Sequence, residues 1–289
     1  MSKGKIVVTG GCGNLGRWTV QTLLDGGYEV LNLDVVPSRD RICESWVADL
    51  TQTGDLYEAC KGADAVVHLA AHQAPFMAAD AEVFRNNMSA TYNVFKAAGD
   101  MGVKRIVHAS SIAAYGFTYA PEIWNPDYLP LDEEHPLTPK DPYAFSKVFG
   151  EQIADSYVGM FDMSVVSLRL AGVNFDLTYE SLSKRWEDPG ARLGTFWSYV
   201  DVRDAAVSCK LAVEADINGH EAFNIAATNS RFPTPTNELV EKYLPGTTIK
   251  YGVETYWSGL NTEKARELLG YTDNHVWEDH IRPDGTVIE

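Results

Sequence analysis

A phenol and an ammonium four residues apart, in Tyr143-Ala144-Phe145-Ser146-Lys147, are the side chains in this sequence best suited to move a proton. That spacing brings two side chains to one face of a helix. A free tyrosine ionises near pH ~10 and is a poor base at neutrality, but a neighbouring ammonium favours the phenolate. A shift of about 3 units corresponds to roughly 4 kcal/mol. Such a phenol takes the proton of a substrate hydroxyl while hydride leaves the same carbon. The same pattern recurs at Tyr57/Lys61 and Tyr92/Lys96, so spacing alone does not choose. Context does: only Tyr143 opens a helix reached from an apolar strand ending in Ser110-Ser111. Ser111 either hydrogen-bonds the reacting oxygen as its charge changes or satisfies backbone groups at the strand end, and adjacent Ser110 leaves a one-residue ambiguity. Asn87, in Arg85-Asn86-Asn87-Met88, either binds a water linking Lys147 to solvent or simply faces solvent.

Hydride needs an acceptor, and the start of the chain makes a place for one. Val7-Val8-Thr9-Gly10-Gly11-Cys12-Gly13-Asn14-Leu15-Gly16 follows an apolar run and leads into a helical pattern through Leu15, Val20, Leu23 and Leu24. Strand, glycine turn and helix in that order form a phosphate cradle, with the N–H groups of the first helical turn facing the anion. Gly10 makes the sharp turn, Gly13 leaves room for a pyrophosphate against the backbone, and Gly16 lets the helix pack on the strand. Three glycines alone also fit a plain turn. A second apolar strand, however, ends in Asp34, eighteen residues beyond Gly16, where a carboxylate accepts the ribose hydroxyls of an adenosine. The pattern predicts a dinucleotide site. Asp34 predicts NAD over NADP, because a carboxylate repels a 2′-phosphate, although Arg39 and Arg41 stand nearby.

The elements that position these groups alternate. Strands are expected over 45–47, 65–69, 105–109 and 164–170, and helices over 53–61, 81–101 and 143–160. This rhythm predicts an α/β fold, a doubly wound parallel sheet of the Rossmann kind, with residues 1–171 as the dinucleotide-binding domain. Past Gly172 the rhythm breaks into a helix over 202–214, a strand over 222–225, a helix over 236–243, a strand over 248–251 and a helix over 261–269. These are expected to form a small substrate-binding lobe within 172–289, some segments returning to the Rossmann core, over the carboxyl ends of the strands where ligands bind. The stretch 117–142, rich in Pro, Trp, Tyr and acids, reads as a long loop of the functional kind.

Bulk properties bound the partners. Hydrophobic content of 45% and charged content of 22% suit a soluble globular chain. A net charge of −16 argues against nucleic acid, which needs clustered Lys and Arg. No apolar stretch is long enough for a membrane span, and the start runs straight into a strand, leaving no room for a signal peptide. Four cysteines, at 12, 43, 60 and 209, make no metal or disulfide pattern and fit a reducing cytoplasm. His68 and His72 straddle a strand end and do not share a helical face, so no metal is expected. Trp124, Trp186 and Trp197 either stack on a sugar or fill core.

With these motifs on the page, the chain resembles the extended short-chain dehydrogenase/reductases, the NAD-dependent epimerase/dehydratase group. The similarity runs through Thr9 to Gly16, Asp34, Asp49-Leu50, His68-Leu69-Ala70-Ala71, Asn86-Asn87, Ser110-Ser111 with Tyr115-Gly116, Tyr143 with Lys147, Leu168-Arg169-Leu170, Tyr199 to Asp204, and the closing Asn261 to Tyr271. The resemblance implies that Gly10, Gly13, Asn14, Leu15 and Gly16 cradle NAD. It implies that Asp34 holds the adenosine ribose, Asp49-Leu50 flank adenine, Leu69, Ala70 and Ala71 line the cofactor, and Lys147 with Tyr143 meets the nicotinamide ribose. Ser111, Tyr143 and Lys147 would be the catalytic set, with Asn87 in a proton relay. Helices near 86–101 and 143–160 would pair in a homodimer.

Departures from the family narrow the chemistry. Dehydratases and decarboxylases of the group carry acids just after the catalytic hydroxyl, where this chain has Ile112 and Ala113. Gly172 stands where relatives that grip a nucleotide diphosphate have Asn, and the span to Tyr199 is short. The short lobe is more similar to members that oxidise free sugars or uronic acids, in which an arginine clamps the substrate carboxylate. Arg192, in Arg192-Leu193-Gly194-Thr195-Phe196-Trp197, stands at a comparable place, or is a surface arginine balancing nearby acids. The expectation is an NAD-dependent oxidoreductase acting on a hydroxyl-bearing carbon of a sugar or sugar acid. The alternatives are an NAD-dependent sugar or UDP-sugar epimerase and, from another class, a non-catalytic dinucleotide sensor.

Overall fold

Alternating apolar residues let one sheet bury both faces. The computed structural model describes residues 2–250 and 254–288. In chain order the elements are β1 (Lys5–Thr9), α1 (Asn14–Asp25), β2 (Glu29–Asp34), β3 (Glu44–Val47), α2 (Gly54–Cys60), β4 (Ala65–His68), α3 (Asp80–Asp100) and β5 (Arg105–Ser111). They continue with α4 (Pro142–Met160), β6 (Ser164–Leu170), β7 (Val173–Asn174), α5 (Glu180–Ser183), β8 (Val200–Asp201), α6 (Val202–Glu214), β9 (His220–Ile225), α7 (Thr236–Tyr243) and α8 (Glu263–Leu269). The main sheet is parallel, in the order β3-β2-β1-β4-β5-β6-β9. Ile6, Val8, Val67 and Val107 face α1 and α6, burying Val20, Leu23, Ala205 and Cys209. Val7, Leu31, Val66 and Ile106 face the other way, onto Leu56 of α2, Val94 and Phe95 of α3, and Ala154 of α4. That two-sided burial is the doubly wound fold. The order reverses between β1 and β4, where such sheets open a crevice for ligands.

Several segments beyond residue 172 serve the sheet itself. β9 is its seventh strand, pairing with β6 from Val165/His220 to Leu170/Ile225, and α6 packs against α1. Of the strand expected over 248–251, the described residues form a single bridge, Ile249 to Leu129, and Tyr251 lies outside the described residues. The helix expected from 261 starts at Glu263, whose N–H donates to Asn261 Oδ1 at 2.7 Å in a side-chain turn that precedes the helix. The long loop 117–142 is tied to this part of the chain by Leu129 N–H to Thr248 O (2.9 Å) and Leu131 N–H to Gly259 O (2.9 Å). Among the described residues, no helix is long and apolar enough to cross a membrane.

Beneath the carboxyl end of β5 lies a buried polar network. Arg169 of β6 donates from Nη2 to Glu151 Oε2 at 2.7 Å and from Nε to Oε1 at 3.0 Å, and both residues are 5% exposed. Ser110 donates to the same carboxylate at 2.6 Å. Arg169 Nη1 reaches the Tyr115 hydroxyl and Glu133 O, each at 3.1 Å, and Tyr115 donates to Asn224 Oδ1 at 2.8 Å. Such a network stabilises only when every member is satisfied. Glu151→Ala strands a buried guanidinium, so urea denaturation is expected to show a loss of about 3–5 kcal/mol. Replacing both partners, Glu151→Leu with Arg169→Met, is expected to recover most of it, and a single-mutant loss no larger than the double's would contradict the network's role.

Candidate functional site

The glycine turn is closed by backbone contact that side chains would block. Gly10 has φ +76°, and a Cβ on it would sit 2.7 Å from Ala70 N. A Cβ on Gly16 would lie 2.1 Å from Gly10 O. Gly13 caps α1, and a Cβ there would meet only Gly10 O, at 3.2 Å. Gly10 and Gly16 are thus held by packing, while Gly13 opens outward, as an approaching phosphate requires. Gly11, which the spacing did not single out, is equally constrained: its N–H donates to Asn32 Oδ1 at 2.9 Å, and a Cβ would fall 2.2 Å from that atom.

Asp34 ends β2, its Oδ2 accepting from Cys12 N–H at 2.9 Å, so it is oriented by the glycine turn. It lines a cavity of about 300 Å³ with Asp49, Leu50, Leu69, Ala70 and Ala71. Thr51 N–H donates to Asp49 Oδ1 at 2.9 Å and holds that carboxyl below its ordinary range. Asn93 donates to Leu50 O at 2.9 Å and fixes the turn. A second cavity, of about 320 Å³, shares Gly10, Gly13, Leu69 and Ala71 with the first and adds Asn14, Leu15, Ser111, Tyr143, Lys147 and Arg192. The residues expected to hold a dinucleotide therefore surround two adjoining cavities, and the glycine cradle between them fits its pyrophosphate.

α4 brings in the acid–base pair. Asp141 caps it, accepting Ala144 N–H at 2.9 Å, with Pro142 at its first position. Tyr143 and Lys147 are both buried, and Lys147 Nζ lies 5.3 Å from the centre of the Tyr143 ring. Nζ donates to Ala109 O at 2.7 Å. Burial pushes the ammonium down to about 8. Burial also pushes the Tyr143 phenol up, partly offset by the Ser111 hydroxyl beside it. Desolvation is the main cause at both groups. The Ser110/Ser111 ambiguity resolves through strand alternation: Ser110 Oγ serves Glu151, while Ser111 adjoins the phenol and accepts Ala113 N–H at 3.1 Å.

Asn87 does not face solvent. It is 2% exposed, accepts His72 N–H at 2.8 Å, and donates to His72 O at 3.0 Å and Ser146 Oγ at 3.2 Å. Its amide thus ties α3 to α4 and to the turn after β4. His68 is buried between Thr9 Oγ1 (2.7 Å) and Thr91 Oγ1 (3.2 Å), and burial pushes it down to about 3, so it is neutral at physiological pH. The tryptophans do not line the cavities. Trp197 is fully buried and donates to Pro189 O at 3.0 Å; Trp186 donates to Arg231 O at 2.7 Å; Trp124 rests on Phe117 with ring centres 4.5 Å apart. The pocket wall also contains Tyr119 and Arg231, neither anticipated from sequence.

The model of the NAD dependent epimerase/dehydratase family matches residues 6–174, the span that carries the glycine turn, Asp34 and the acid–base pair. The chain belongs to that family. It is 35% identical over 174 residues to the L-arabinose 1-dehydrogenase (NAD(P)(+)) of Haloferax volcanii, a match covering 57% of this chain and 66% of that one. It is 26% identical over 315 aligned residues to the UDP-glucose 4-epimerase of Corynebacterium glutamicum, covering 94% and 92%. Among solved structures it is similar to a short-chain dehydrogenase/reductase superfamily protein from Agrobacterium tumefaciens with bound NAD, at TM-score 0.73 and 25% identity over 95% of this chain and 94% of that one. As a family member the chain is an NAD-dependent enzyme.

The two glycines separate stability from binding. Gly16→Ala forces backbone apart and is expected to destabilise by about 1–3 kcal/mol, read as a lower Tm. Gly13→Ala is expected to hold its Tm while the NAD Kd by calorimetry rises roughly tenfold or more. Equal losses of Tm in both variants would contradict this division.

Proposed function

We propose that this enzyme oxidises a hydroxyl-bearing carbon of a sugar or sugar acid. The observation that carries the reading is that Ser111, Tyr143, Lys147 and Arg192 line one cavity that adjoins the glycine cradle. Gly10 to Gly16 would hold the pyrophosphate of NAD, Asp34 its adenosine ribose, Asp49-Leu50 its adenine, and Leu69 to Ala71 the wall beside it. NAD, when bound, supplies the hydride acceptor. Tyr143 takes the proton of the substrate hydroxyl at its phenolic oxygen. Ser111 donates to the reacting oxygen as its charge changes. Lys147, fixed on Ala109 O beside the phenol, accepts the phenol's own proton as the substrate's arrives, and would meet the nicotinamide ribose. Asn87 acts through position, holding α3, α4 and His72 together at the rim. Arg192 faces the substrate.

A second reading, sugar epimerisation, is favoured by the nearly full-length similarity to UDP-glucose 4-epimerase. It differs in outcome, because an epimerase returns the hydride and accumulates no NADH. The exposed faces of α3 and α4, with Phe84, Tyr92 and Phe145, support pairing of two copies through these helices. The four cysteines are all free, which supports a reducing compartment.

NADH absorbance over a panel of aldoses, uronates and UDP-sugars tests the reading; sustained formation is expected with a free sugar or sugar acid, and Tyr143→Phe is expected to retain NAD binding and lose turnover. Full turnover in that variant would reject the assignment. The pH profile follows from burial. Tyr143 is pushed up and Lys147 down to about 8, so the first proton to leave the pair does so near 8. The pair acts as a base once that proton has gone, and kcat/KM for oxidation is expected to rise to a plateau above about 8. A profile that falls as pH rises through that value would contradict it.

A further inference from the structure

After α8 the chain runs on as a strap, anchored to the core and laid across the residues beyond β9. Its anchors are Tyr271, whose hydroxyl donates to Ala226 O at 3.1 Å, and His275, whose N–H donates to Asp204 Oδ2 of α6 at 2.9 Å. Around them the strap reaches residues 228–231. Asp273 Oδ2 accepts Thr228 N–H at 2.7 Å and the Thr228 hydroxyl at 2.8 Å. Asn229 Nδ2 donates to Glu278 Oε2. Trp277 is buried and donates from Nε1 to Ser230 O at 2.8 Å, and from its N–H to the Tyr199 hydroxyl at 3.1 Å. Its ring meets that of Trp186 edge-on, with centres 5.0 Å apart, and Trp186 Nε1 donates to Arg231 O at 2.7 Å. Arg231 N–H in turn donates to Trp197 O at 2.9 Å. Three tryptophans thus hold one short loop, and one of them comes from the strap.

The loop bears on the site because Arg231 lines the cavity that also holds Ser111, Tyr143 and Arg192. Among the described residues, nothing from 272 to 288 lines that cavity or the one beside it. The loop has one bridge, Asn229 to Trp257, in place of a ladder, so the partners of its other backbone groups decide where it stands. For the buried Ser230 carbonyl that partner is the Trp277 indole. A buried carbonyl deprived of its donor shifts toward water or another donor. The contact continues beyond the loop: Trp197, which accepts from Arg231, donates from Nε1 to Pro189 O at 3.0 Å, in the short helical turn that carries Arg192. We propose that Trp277 is a positioning residue for the substrate side of the site. Through Ser230, Trp186 and Trp197 it sets the place of Arg231 and of the turn bearing Arg192, and it leaves the dinucleotide side untouched. The proposal rests on the reading above that this cavity takes the substrate, and it adds a residue that never touches that substrate.

Trp277→Phe keeps a ring against Trp186 and removes the donor to Ser230 O. Hydrogen exchange by mass spectrometry, NAD calorimetry and steady-state kinetics on the whole chain test the proposal. Exchange in peptides covering 228–232 is expected to quicken roughly tenfold, while peptides covering the glycine turn stay within about twofold. The NAD Kd is expected to stay within about twofold. With any sugar of the panel that yields NADH, KM is expected to rise roughly tenfold and kcat to fall by at most about threefold. Asp273→Ala, which frees Thr228 from the same strap, is expected to quicken the same peptides and serves if Trp277→Phe does not fold. Unchanged exchange at 228–232 would overturn the proposal, because the loop would then be held without Trp277. A glycine turn or an NAD Kd loosened as much as the loop would also overturn it, because the strap would then be a general stabiliser. So would a fall in kcat with KM unchanged. If the native chain forms NADH with no sugar of the panel while the exchange pattern holds, the oxidation reading fails and the positioning of the loop stands.

Discussion

One face of α4 fixes the register between helix and sheet on which the site depends. Tyr143, Lys147 and Glu151 follow each other at four-residue intervals, and each meets the end of β5. The phenol adjoins Ser111, the ammonium donates to Ala109 O, and the carboxylate accepts from Ser110 and Arg169. Gly150 admits the close approach, since a Cβ there would fall 2.6 Å from the His108 ring. A helix shifted by one residue would lose all these bonds and leave a buried ammonium and a buried carboxylate unpaired. Hydrogen bonds to charged groups contribute roughly 1.5–3 kcal/mol each, and their loss in the interior is worse than their gain is large. The positions of the proton-transfer groups are therefore a by-product of polar satisfaction in the core.

The trough is polarised from end to end. Asp34 and Asp49 stand at the end that suits an adenosine, where acceptors are needed for ribose hydroxyls. Arg192 and Arg231 line the adjoining cavity together with the phenol and ammonium. In a chain of net charge −16, a cavity wall with two arginines and no facing carboxylate is a local inversion of sign. The wall is held rigidly. Phe196 and Trp197 both have positive φ, at 45° and 60°, a conformation unfavourable for bulky side chains. Gly259 permits it, because a Cβ there would lie 2.2 Å from Phe196 Cβ. The strain sits beside the short helical turn that carries Arg192.

Local patterns made much of this legible in the sequence. The glycine turn, the strand ending in Asp34 and the Tyr143/Lys147 spacing are each contained in one stretch, so periodicity and turn chemistry reveal them. Pairing across long separations leaves no such trace. Nothing near Arg169 announces Glu151, although an acid one turn beyond Lys147 on a buried face was a usable signal. Arg231 lies far along the chain from Tyr143, in a loop whose position is set by tryptophans from three other segments. β9 falls in the stretch read as a small lobe with some segments returning to the core, and the sheet identifies it as one of those segments. Spacing gives no measure of burial, and burial decides both the partners of the Asn87 amide and the direction in which the proton affinities of the phenol and ammonium shift.

The crystal structure of this chain with NAD bound is the measurement that bears most directly on the central claim, that α4 presents a proton-transfer pair to a dinucleotide lying across the glycine cradle. The expected result is an adenosine ribose on Asp34 and a nicotinamide ribose within hydrogen-bonding reach of Tyr143 and Lys147. A dinucleotide bound elsewhere, or one whose nicotinamide is turned away from Tyr143, would contradict it.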